Sequence, residues 1–320
     1  MALPEAKEKW TDGVGTVTIG ATSAEGGTRG STVTIGGQNG IPFLSFDGEM
    51  PNPLSIAMDV LDKQPIGWSK PLEEVYGDVW SDPAAWAKKV KELGADLINL
   101  RLMSTHPDED DAGADQAVET VKTVLEAVDL PLIIWGCDVP EKDQQVMPKV
   151  AEAAAGENCL LGAATEGEYR TLVAAAQAYG HKVISLAPCD INKQKQVNIL
   201  ISDMGFPLEN VVIYPTTAAL GYGMEYVYSI LERGRLAALS GDRIMARPVF
   251  LDIGYEAWRA KEARSDEELD AIWGADSDRG PAWEAVTATN LLQGGADLLA
   301  MRHPKAIEAV RQTVSELIGS

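Results

Sequence analysis

The residues that build metal and redox sites are scarce, with only three cysteines and three histidines in 320 residues. Cys137, Cys159 and Cys189 lie 22 and 30 residues apart, and no Cys-x-x-Cys pair occurs. Iron–sulfur clusters and structural zinc sites need closely spaced thiolates, and a disulfide framework needs an even number of cysteines. The spacing therefore argues against all three in this chain.

Basic charge and long hydrophobic runs are also lacking. Lys and Arg number 27 against 48 Asp and Glu, which gives a net charge of −21. Nucleic-acid phosphates require a basic surface, so the acidity argues against a nucleic-acid partner. The longest strongly apolar run, Leu130–Trp135, is far shorter than the roughly 20 residues of a membrane helix, and residues 1–10 contain no signal-peptide core. We therefore expect a cytoplasmic protein with no membrane partner.

An internal repeat marks the amino-terminal region. The sequence Thr-Val-Thr-Ile-Gly begins at Thr16 and again at Thr32, with a Gly/Ser/Thr-rich segment between the copies. Alternating β-branched residues around a glycine-rich connection predict a β-hairpin. Neither GxGxxG nor GxxxxGK[ST] occurs there, so a phosphate-binding loop is not favoured. We expect residues 1–40 to be a hairpin extension that plugs or flanks a larger domain of residues 41–320.

Beyond Gly40, short apolar runs alternate with helical stretches. One helix is predicted from Asp82 as N-cap and Pro83 to a glycine C-cap at Gly94, and another from Pro281 toward Gly294. The eight runs that predict strands are Pro42–Phe46, Leu97–Leu102, Leu130–Trp135, Asn158–Gly162, Lys182–Leu186, Val211–Tyr214, Val249–Ile253 and Leu298–Met301.

A second repeat favours one architecture. Gly-Ala-Asp-Leu begins at Gly94 and at Gly295, each time just before a run that ends at an arginine, Arg101 or Arg302. Buried strands separated by helices indicate a parallel sheet, and eight such units favour a closed (β/α)8 TIM barrel of the α/β class. An open doubly wound sheet is the alternative, which the missing dinucleotide fingerprint disfavours.

The carboxyl ends of barrel strands carry the chemistry, so residues that follow each run are the candidates. Cys137 and Cys189 are expected to line a pocket, whereas His106 and His303, each followed by proline, are expected to anchor loops. His181 is expected at the opposite end. No catalytic or metal-binding constellation is diagnostic. The candidate ligand-binding residues, chosen by position alone, are Thr105, His106, Trp135, Gly136, Cys137, Asp190, Asn192, Thr216 and Thr217.

The same strand ends carry residues that suit other chemistries. Asp47, Asp190 and Asp252 are carboxylates suited to a metal or to proton abstraction. A Schiff-base lyase is not favoured, because Lys182 begins its strand and Lys193 is expected in a loop. Four aromatic residues crowd the connection after the first predicted strand. We expect Trp86 to be core, and the sequence does not decide whether Trp68, Tyr76 and Trp80 are core or face a partner.

Four segments carry a family resemblance. They are Gly-Gly-Gln-Asn-Gly-Ile-Pro-Phe-Leu-Ser-Phe-Asp-Gly-Glu-Met-Pro-Asn-Pro from Gly36, Gly-Ala-Asp-Leu-Ile-Asn-Leu-Arg-Leu from Gly94, Trp-Gly-Cys-Asp from Trp135 and Ile-Tyr-Pro-Thr-Thr-Ala-Ala-Leu-Gly-Tyr-Gly from Ile213. The chain resembles, over nearly its whole length, the small subunit of the corrinoid iron–sulfur protein. That family is also called the delta subunit of the acetyl-CoA decarbonylase/synthase complex.

The resemblance implies a non-catalytic, cytoplasmic subunit of the anaerobic acetyl-CoA (Wood–Ljungdahl) pathway. In the family, a large subunit carries the iron–sulfur cluster and a cobalamin-binding domain, and the corrinoid lies between the two chains. Its cobalt takes a methyl group from methyltetrahydrofolate through a methyltransferase and delivers it to acetyl-CoA synthase. The alternatives are a pterin-dependent methyltransferase barrel that binds methyltetrahydrofolate itself and, less favoured, a sugar or aldehyde lyase.

Overall fold

The structure is a computed structural model that describes residues 8–264 and 271–319. The strands in these ranges are β1 Thr16–Ile19, β2 Val33–Gly36, β3 Ser55–Leu61, β4 Leu97–Arg101, β5 Leu132–Trp135, β6 Leu160–Ala164, β7 Lys182–Leu186, β8 Val211–Tyr214, β9 Phe250–Asp252 and β10 Leu298–Met301. The helices are α1 Lys70–Tyr76, α2 Pro83–Glu92, α3 Ala114–Ala127, α4 Pro140–Ala153, α5 Arg170–Tyr179, α6 Ile191–Asp203, α7 Met224–Leu239, α8 Ile253–Ala257, α9 Lys261–Arg264, α10 Asp276–Gly294 and α11 Pro304–Gly319.

Eight parallel strands form the central sheet, in the order β8-β7-β6-β5-β4-β3-β10-β9. An isolated parallel bridge between Ile213 and Val249 brings the two edge strands together, with Ile213 N donating to the Pro248 carbonyl at 2.8 Å. The strands are almost entirely buried because helices cover the outside of the barrel. The predicted TIM barrel is confirmed. No helix in the described ranges is long and apolar enough to cross a membrane.

The first predicted strand, Pro42–Phe46, is wrong. This segment forms turns, in which Leu44 N donates to the Ile41 carbonyl at 3.2 Å and Phe43 has a φ of 60°, a value incompatible with an extended strand. The first barrel strand is β3, whose apolar pattern is interrupted by a buried aspartate. The other seven predicted strands are confirmed to within two residues at each end.

The amino-terminal hairpin plugs the end of the barrel where the strands begin. β1 and β2 pair antiparallel, with Thr16 opposite Gly36, so the two copies of the repeat form the two strands. Gly20 N donates to the Asn158 carbonyl at 2.9 Å just before β6, and the Asn158 side chain donates back to the Thr18 carbonyl at 3.0 Å. Ile19 is fully buried in the same core as the barrel residues. The boundary at residue 40 stays a prediction.

A buried arginine joins the hairpin connection to the barrel. The Arg29 side chain is 1% exposed and its Nε donates to Glu157 Oε2 at 2.7 Å. Its Nη atoms donate to the carbonyls of Leu125 at 2.8 Å and Val128 at 2.7 Å, at the end of α3. These carbonyls lie where a helix leaves its last backbone acceptors without partners, so Arg29 satisfies them.

The Gly-Ala-Asp-Leu repeat is one turn design used twice. The glycine of each copy has a left-handed φ, 88° in the first and 119° in the second, which ends a helix without a Cβ clash. Asp96 accepts from Ile56 N, and Asp297 accepts from Val249 N, each at 2.8 Å. Each aspartate thereby fixes the start of the neighbouring strand.

One predicted helix is confirmed, one begins earlier than predicted, and one residue predicted to lie in a loop lies in a helix. The helix after Asp82 is confirmed, with the Asp82 carboxylate accepting from Ala84 N at 3.0 Å. The helix predicted from Pro281 instead begins at Asp276, and the proline lies inside α10, where it removes one helical hydrogen bond. Lys193 lies in α6 and not in a loop.

Candidate functional site

A cavity of about 320 Å³ opens at the carboxyl ends of the barrel strands. Trp135 at the end of β5 and Tyr214 at the end of β8 give it an apolar floor, and Met147 and Leu186 add to the walls. Arg101 and carboxylate and threonine side chains bring polar groups to the lining. Concave, mainly apolar sites with a few polar groups are the usual form of a ligand pocket.

The two aromatic residues of the floor pack with the buried Phe250 as a triad. The Trp135 ring centroid lies 5.9 Å from that of Tyr214 and 5.6 Å from that of Phe250, in edge-on and tilted arrangements. The Trp135 indole N–H donates to Asn99 Oδ1 at 2.8 Å, which fixes the ring plane. A Cβ at Gly162 would lie 2.6 Å from this ring, so only glycine permits the contact.

Five buried polar residues form a network around the mouth. Asp59 on β3 accepts from Asn99 Nδ2 and from Arg302 Nε, both at 2.7 Å. Arg101 on β4 forms an ion pair with Asp252 at the end of β9. Each carboxylate in this network has a cationic partner, as buried charges require.

Tyr255 on α8 separates the first cavity from a second one of about 240 Å³. Three guanidinium groups surround its ring, those of Arg101 at 4.9 Å, Arg259 at 5.1 Å and Arg302 at 5.9 Å from the centroid. The Arg302 guanidinium also lies 4.6 Å from the centre of the Trp68 ring. Arg101 and Tyr255 line both cavities.

A buried carboxylate on α10 holds the loop after β10. Glu284 accepts from Trp258 Nε1 at 2.9 Å, from Arg302 N at 2.6 Å and from His303 N at 3.0 Å. Burial raises the pKa of Glu284 to about 7, although the three hydrogen bonds oppose the change. Burial and then the charge of Lys305 lower the pKa of His303 to about 4, and its ring stacks on Trp258.

Residues 16–310 match the family model for the CO dehydrogenase/acetyl-CoA synthase delta subunit. The chain belongs to this family. It is 42% identical over 318 residues to acetyl-CoA decarbonylase/synthase complex subunit delta 1 of Methanosarcina thermophila, covering 98% of this chain and 72% of that protein. It is 41% identical over 319 residues to subunit delta of Archaeoglobus fulgidus, with 98% and 70% covered. The family resemblance seen in the sequence is confirmed.

Dihydropteroate synthases are among the solved structures with the same fold. The enzyme of Xanthomonas albilineans in complex with 7,8-dihydropteroate matches with a TM-score of 0.54 at 16% identity, over 83% of this chain and 94% of that one. The Yersinia pestis enzyme also matches with a TM-score of 0.54, at 14% identity, over 83% and 93%. At these low identities the similarity shows only that this delta-subunit family member shares the barrel fold.

The structure places two of the nine predicted ligand-binding residues in the cavity lining, Trp135 and Thr216. Thr217 lies beneath, where its hydroxyl accepts from Asp252 N at 3.0 Å. Asp190 caps α6, because its carboxylate accepts from Asn192 N at 2.9 Å, and the Asn192 side chain is exposed on the first turn of that helix. The ligand-binding role of each stays a prediction.

Thr105 and His106 shape the loop after β4 outside the cavity. The buried Thr105 hydroxyl donates to the Leu102 carbonyl at 2.7 Å. His106 Nδ1 accepts from Asp108 N at 3.1 Å, and His303 Nδ1 accepts from the backbone N–H two residues further along at 3.2 Å. Both histidines therefore anchor loops, as predicted.

Gly136 and Cys137 pack behind the rim of the cavity. A Cβ at Gly136 would lie 2.1 Å from Asp143 Oδ1, and that carboxylate accepts from Cys137 N at 2.9 Å and from Asp138 N at 3.1 Å. Burial raises the pKa of the Cys137 thiol, which keeps it protonated. Cys137 is buried and Cys189 is exposed, and neither lines this cavity. The pocket-lining role of each stays a prediction.

One expectation at the strand ends needs correction, and the aromatic residues that follow can be placed. Asp47 follows a turn and not a strand, and its carboxylate accepts from Trp10 Nε1 at 2.6 Å and from Ile41 N at 2.8 Å. Trp68 is partly buried and packs edge-on against the fully buried Trp86 at 5.4 Å. Tyr76 is also fully buried, so it belongs to the core.

Sequence reasoning missed Asp59, Asn99 and Glu284. A signal for Asn99 existed, because Asn99 and Arg101 alternate with leucines on one strand and therefore point to the same face. Asp59 lay on the unrecognised strand, and Glu284 lies in the middle of a helix with no local mark. In the described ranges, no group of three or more His, Cys, Asp and Glu residues is placed to hold a metal ion.

Proposed function

We propose that this chain is the cytoplasmic small subunit of a heterodimeric corrinoid/iron–sulfur methyl carrier in the anaerobic acetyl-CoA (Wood–Ljungdahl) pathway. Its large partner would carry the iron–sulfur cluster, and the two chains would hold cobalamin between them. The carrier would accept a methyl group from methyltetrahydrofolate through a methyltransferase and pass it to acetyl-CoA synthase. The names of its relatives, subunits of an acetyl-CoA decarbonylase/synthase complex, support this proposal.

The observation that carries the proposal is an open, apolar mouth whose central charges are paired with one another. Asp59 and Asp252 are both held by arginines, so neither is a free base for proton transfer. The aromatic floor and the apolar walls favour binding of a large flat ring. A mouth of this kind suits a carrier that holds a cofactor more than an enzyme that moves protons.

The residues present fit a corrinoid in polarity. A corrinoid is several times larger than the ligands that a cavity of about 320 Å³ encloses, so it would lie across the mouth. Asp138, Thr216 and Glu256 on the lining offer acceptors to the amide groups at the edge of a corrin ring. The bound cobalamin would supply the cobalt that carries the methyl group, and this chain would bind it and exclude water.

A pterin-dependent methyltransferase is the second candidate function. The cavity volume of about 320 Å³ lies at the low end of the range for small-ligand pockets, so a single pterin would fill it. Dihydropteroate synthases of the same fold have been solved with 7,8-dihydropteroate and with a pterine–sulfa conjugate. This function requires that the barrel bind methyltetrahydrofolate without its partner.

The test is anaerobic co-purification with the partner chain, with cobalt counted per heterodimer. Thr216→Trp, which places a bulky ring on the cavity wall, is expected to weaken cobalamin retention at least about tenfold, while Thr123→Trp on the exposed face of α3 leaves it unchanged. Both variants should keep the circular dichroism spectrum of the parent. Equal cobalt content in the two variants would refute the placement of the corrinoid at the mouth. Methyltetrahydrofolate binding by the barrel alone would favour the enzyme.

A further inference from the structure

The second cavity is cationic in a strongly acidic chain. Lys63, Arg101, Arg259, Arg264 and Arg302 line it, and Glu109 is the one acidic residue among its described lining residues. The chain as a whole carries 48 acidic against 27 basic residues. Four of these cations also contact carboxylates, Lys63 at Glu109, Arg101 at Asp252, Arg259 at Glu256 and Arg302 at Asp59. The attraction for an anion therefore depends on the N–H groups that these ion pairs leave unused, in a concave and partly water-excluded site.

Arg302 has hydrogen-bond donors to spare despite its burial. Its side chain is 7% exposed, and its Nε donates to Asp59 Oδ2 at 2.7 Å. Neither Nη atom donates to an acceptor in the described part of the chain, and neither is sealed from solvent. The buried Nε of Arg101 also lacks a hydrogen-bond partner there. A buried donor without an acceptor, such as the Arg101 Nε, is costly unless a ligand or water satisfies it, whereas the Arg302 Nη atoms are open to water or to a ligand.

Packing holds the Arg302 guanidinium in one orientation. Its Nε is fixed by Asp59, and the centroid of the Trp68 ring lies 4.6 Å from the guanidinium carbon, Cζ. A planar guanidinium held this way presents two parallel N–H groups, the arrangement that binds a carboxylate or phosphate in a bidentate manner. Arg259 and Arg264 are exposed at the same cavity and add charge at its rim.

We infer that this second cavity is an oxyanion site, with Arg302 as its principal ligand-binding residue and a phosphate-type group as its ligand. The inference rests on the proposed function only for the source of the anion. Because the two cavities share Arg101 and Tyr255, a cofactor across the first can place a phosphate in the second. A free phosphorylated or carboxylated metabolite offers the same chemistry.

The direct test is a ³¹P NMR titration of the full chain with inorganic phosphate, against chloride at equal ionic strength. Saturable phosphate binding is expected, and Arg302→Lys, which keeps the charge but loses the fork, should weaken it at least about tenfold. Arg233→Lys, on the exposed face of α7, should leave it unchanged. Non-saturable binding, or identical binding by Arg302→Lys and the parent, would overturn the inference.

A second variant guards against misfolding of Arg302→Lys. The rim variant Arg259→Gln/Arg264→Gln changes two exposed side chains, so the barrel should stay folded while phosphate binding weakens several-fold. If Arg302→Lys does not fold and the rim variant binds phosphate as tightly as the parent, the inference is also overturned.

The source of the anion is decided with the heterodimer, by comparing cobalamin with cobinamide, which lacks the nucleotide-loop phosphate. If that phosphate occupies the site, Arg302→Lys weakens cobalamin binding and leaves cobinamide binding unchanged. If Arg302→Lys binds both corrinoids as tightly as the parent does but binds inorganic phosphate more weakly, a free anion is the ligand. Failure of the parent to bind either corrinoid, with phosphate binding intact, would refute the proposed function and leave the oxyanion site standing.

Discussion

Replacing Arg29 by Met tests whether the hairpin is an integral part of the barrel. Methionine keeps most of the aliphatic bulk of the side chain but removes every N–H donor. The carbonyls of Leu125 and Val128 then lose donors that now lie at 2.8 and 2.7 Å. Glu157 loses a 2.7 Å ion pair in a site where its own side chain is 11% exposed.

The magnitude follows from these contacts. Removing one partner of a buried ion pair costs about 3–5 kcal/mol, because the other charge stays buried without compensation. Glu157 keeps hydrogen bonds from the Thr28 hydroxyl at 2.9 Å and the Thr28 N–H at 3.2 Å, which places the loss near the lower bound. We therefore expect the free energy of unfolding to fall by about 3 kcal/mol.

Urea denaturation followed by circular dichroism measures this loss. Lys91→Met is the matched control, because it removes the ion pair with Asp129, whose two side chains are 46% and 51% exposed. That exposed pair should be worth less than about 1 kcal/mol. If Arg29→Met costs no more than this control, the hairpin does not stabilise the barrel through Arg29 and the reasoning is refuted.

Three further predictions concern the mouth. The folded pKa of Glu284, about 7, lies above the unfolded value of about 4.3, so its contribution to stability is fully present below pH 4.3 and lost as the pH rises through 7. Between pH 4 and 8 the stability of the parent should fall by about 3 kcal/mol relative to Glu284→Gln, and parallel unfolding curves would contradict this. Gly162→Ala should cost about 1–3 kcal/mol in urea denaturation, since its Cβ would lie 2.6 Å from the Trp135 ring, and an unchanged midpoint would disprove the contact. Thr216→Gly should raise the free energy of unfolding by about 1 kcal/mol, because Thr216 has a φ of 75°, which strains a side chain with a branched Cβ. A melting temperature below that of the parent would contradict backbone strain at this residue.

The architecture could be predicted because it is encoded locally. The Gly-Ala-Asp-Leu repeat fixes a helix end, a turn and a strand start within four residues, and the structure uses it the same way at Asp96 and Asp297. The hairpin was likewise visible in two copies of a β-branched sequence. Signals of this kind depend on neighbours along the chain, which a single sequence displays.

The polar network could not be predicted because its partners are distant in sequence. Asp59 and Arg302 are 243 residues apart, and only closure of the barrel brings β3 beside β10. The same buried aspartate hid β3 itself, because a carboxylate interrupts the apolar run by which a buried strand is recognised. Position after a strand located Trp135 and Thr216, but it could not separate residues that face the cavity from those that cap a helix, such as Asp190.

The number of paired residues between neighbouring strands varies around the barrel. Neighbouring strands elsewhere share between three and five registered residue pairs, whereas the junction of β8 and β9 has one bridge. Local opening requires least free energy where the fewest hydrogen bonds must break, so amide exchange should be fastest at this junction. Tyr214 and Thr216 lie on one side of it and Asp252 and Tyr255 on the other, and all four line the first cavity. A ligand that touches both sides would tie the two edges together, so occupancy of the mouth and closure of the ring would reinforce each other.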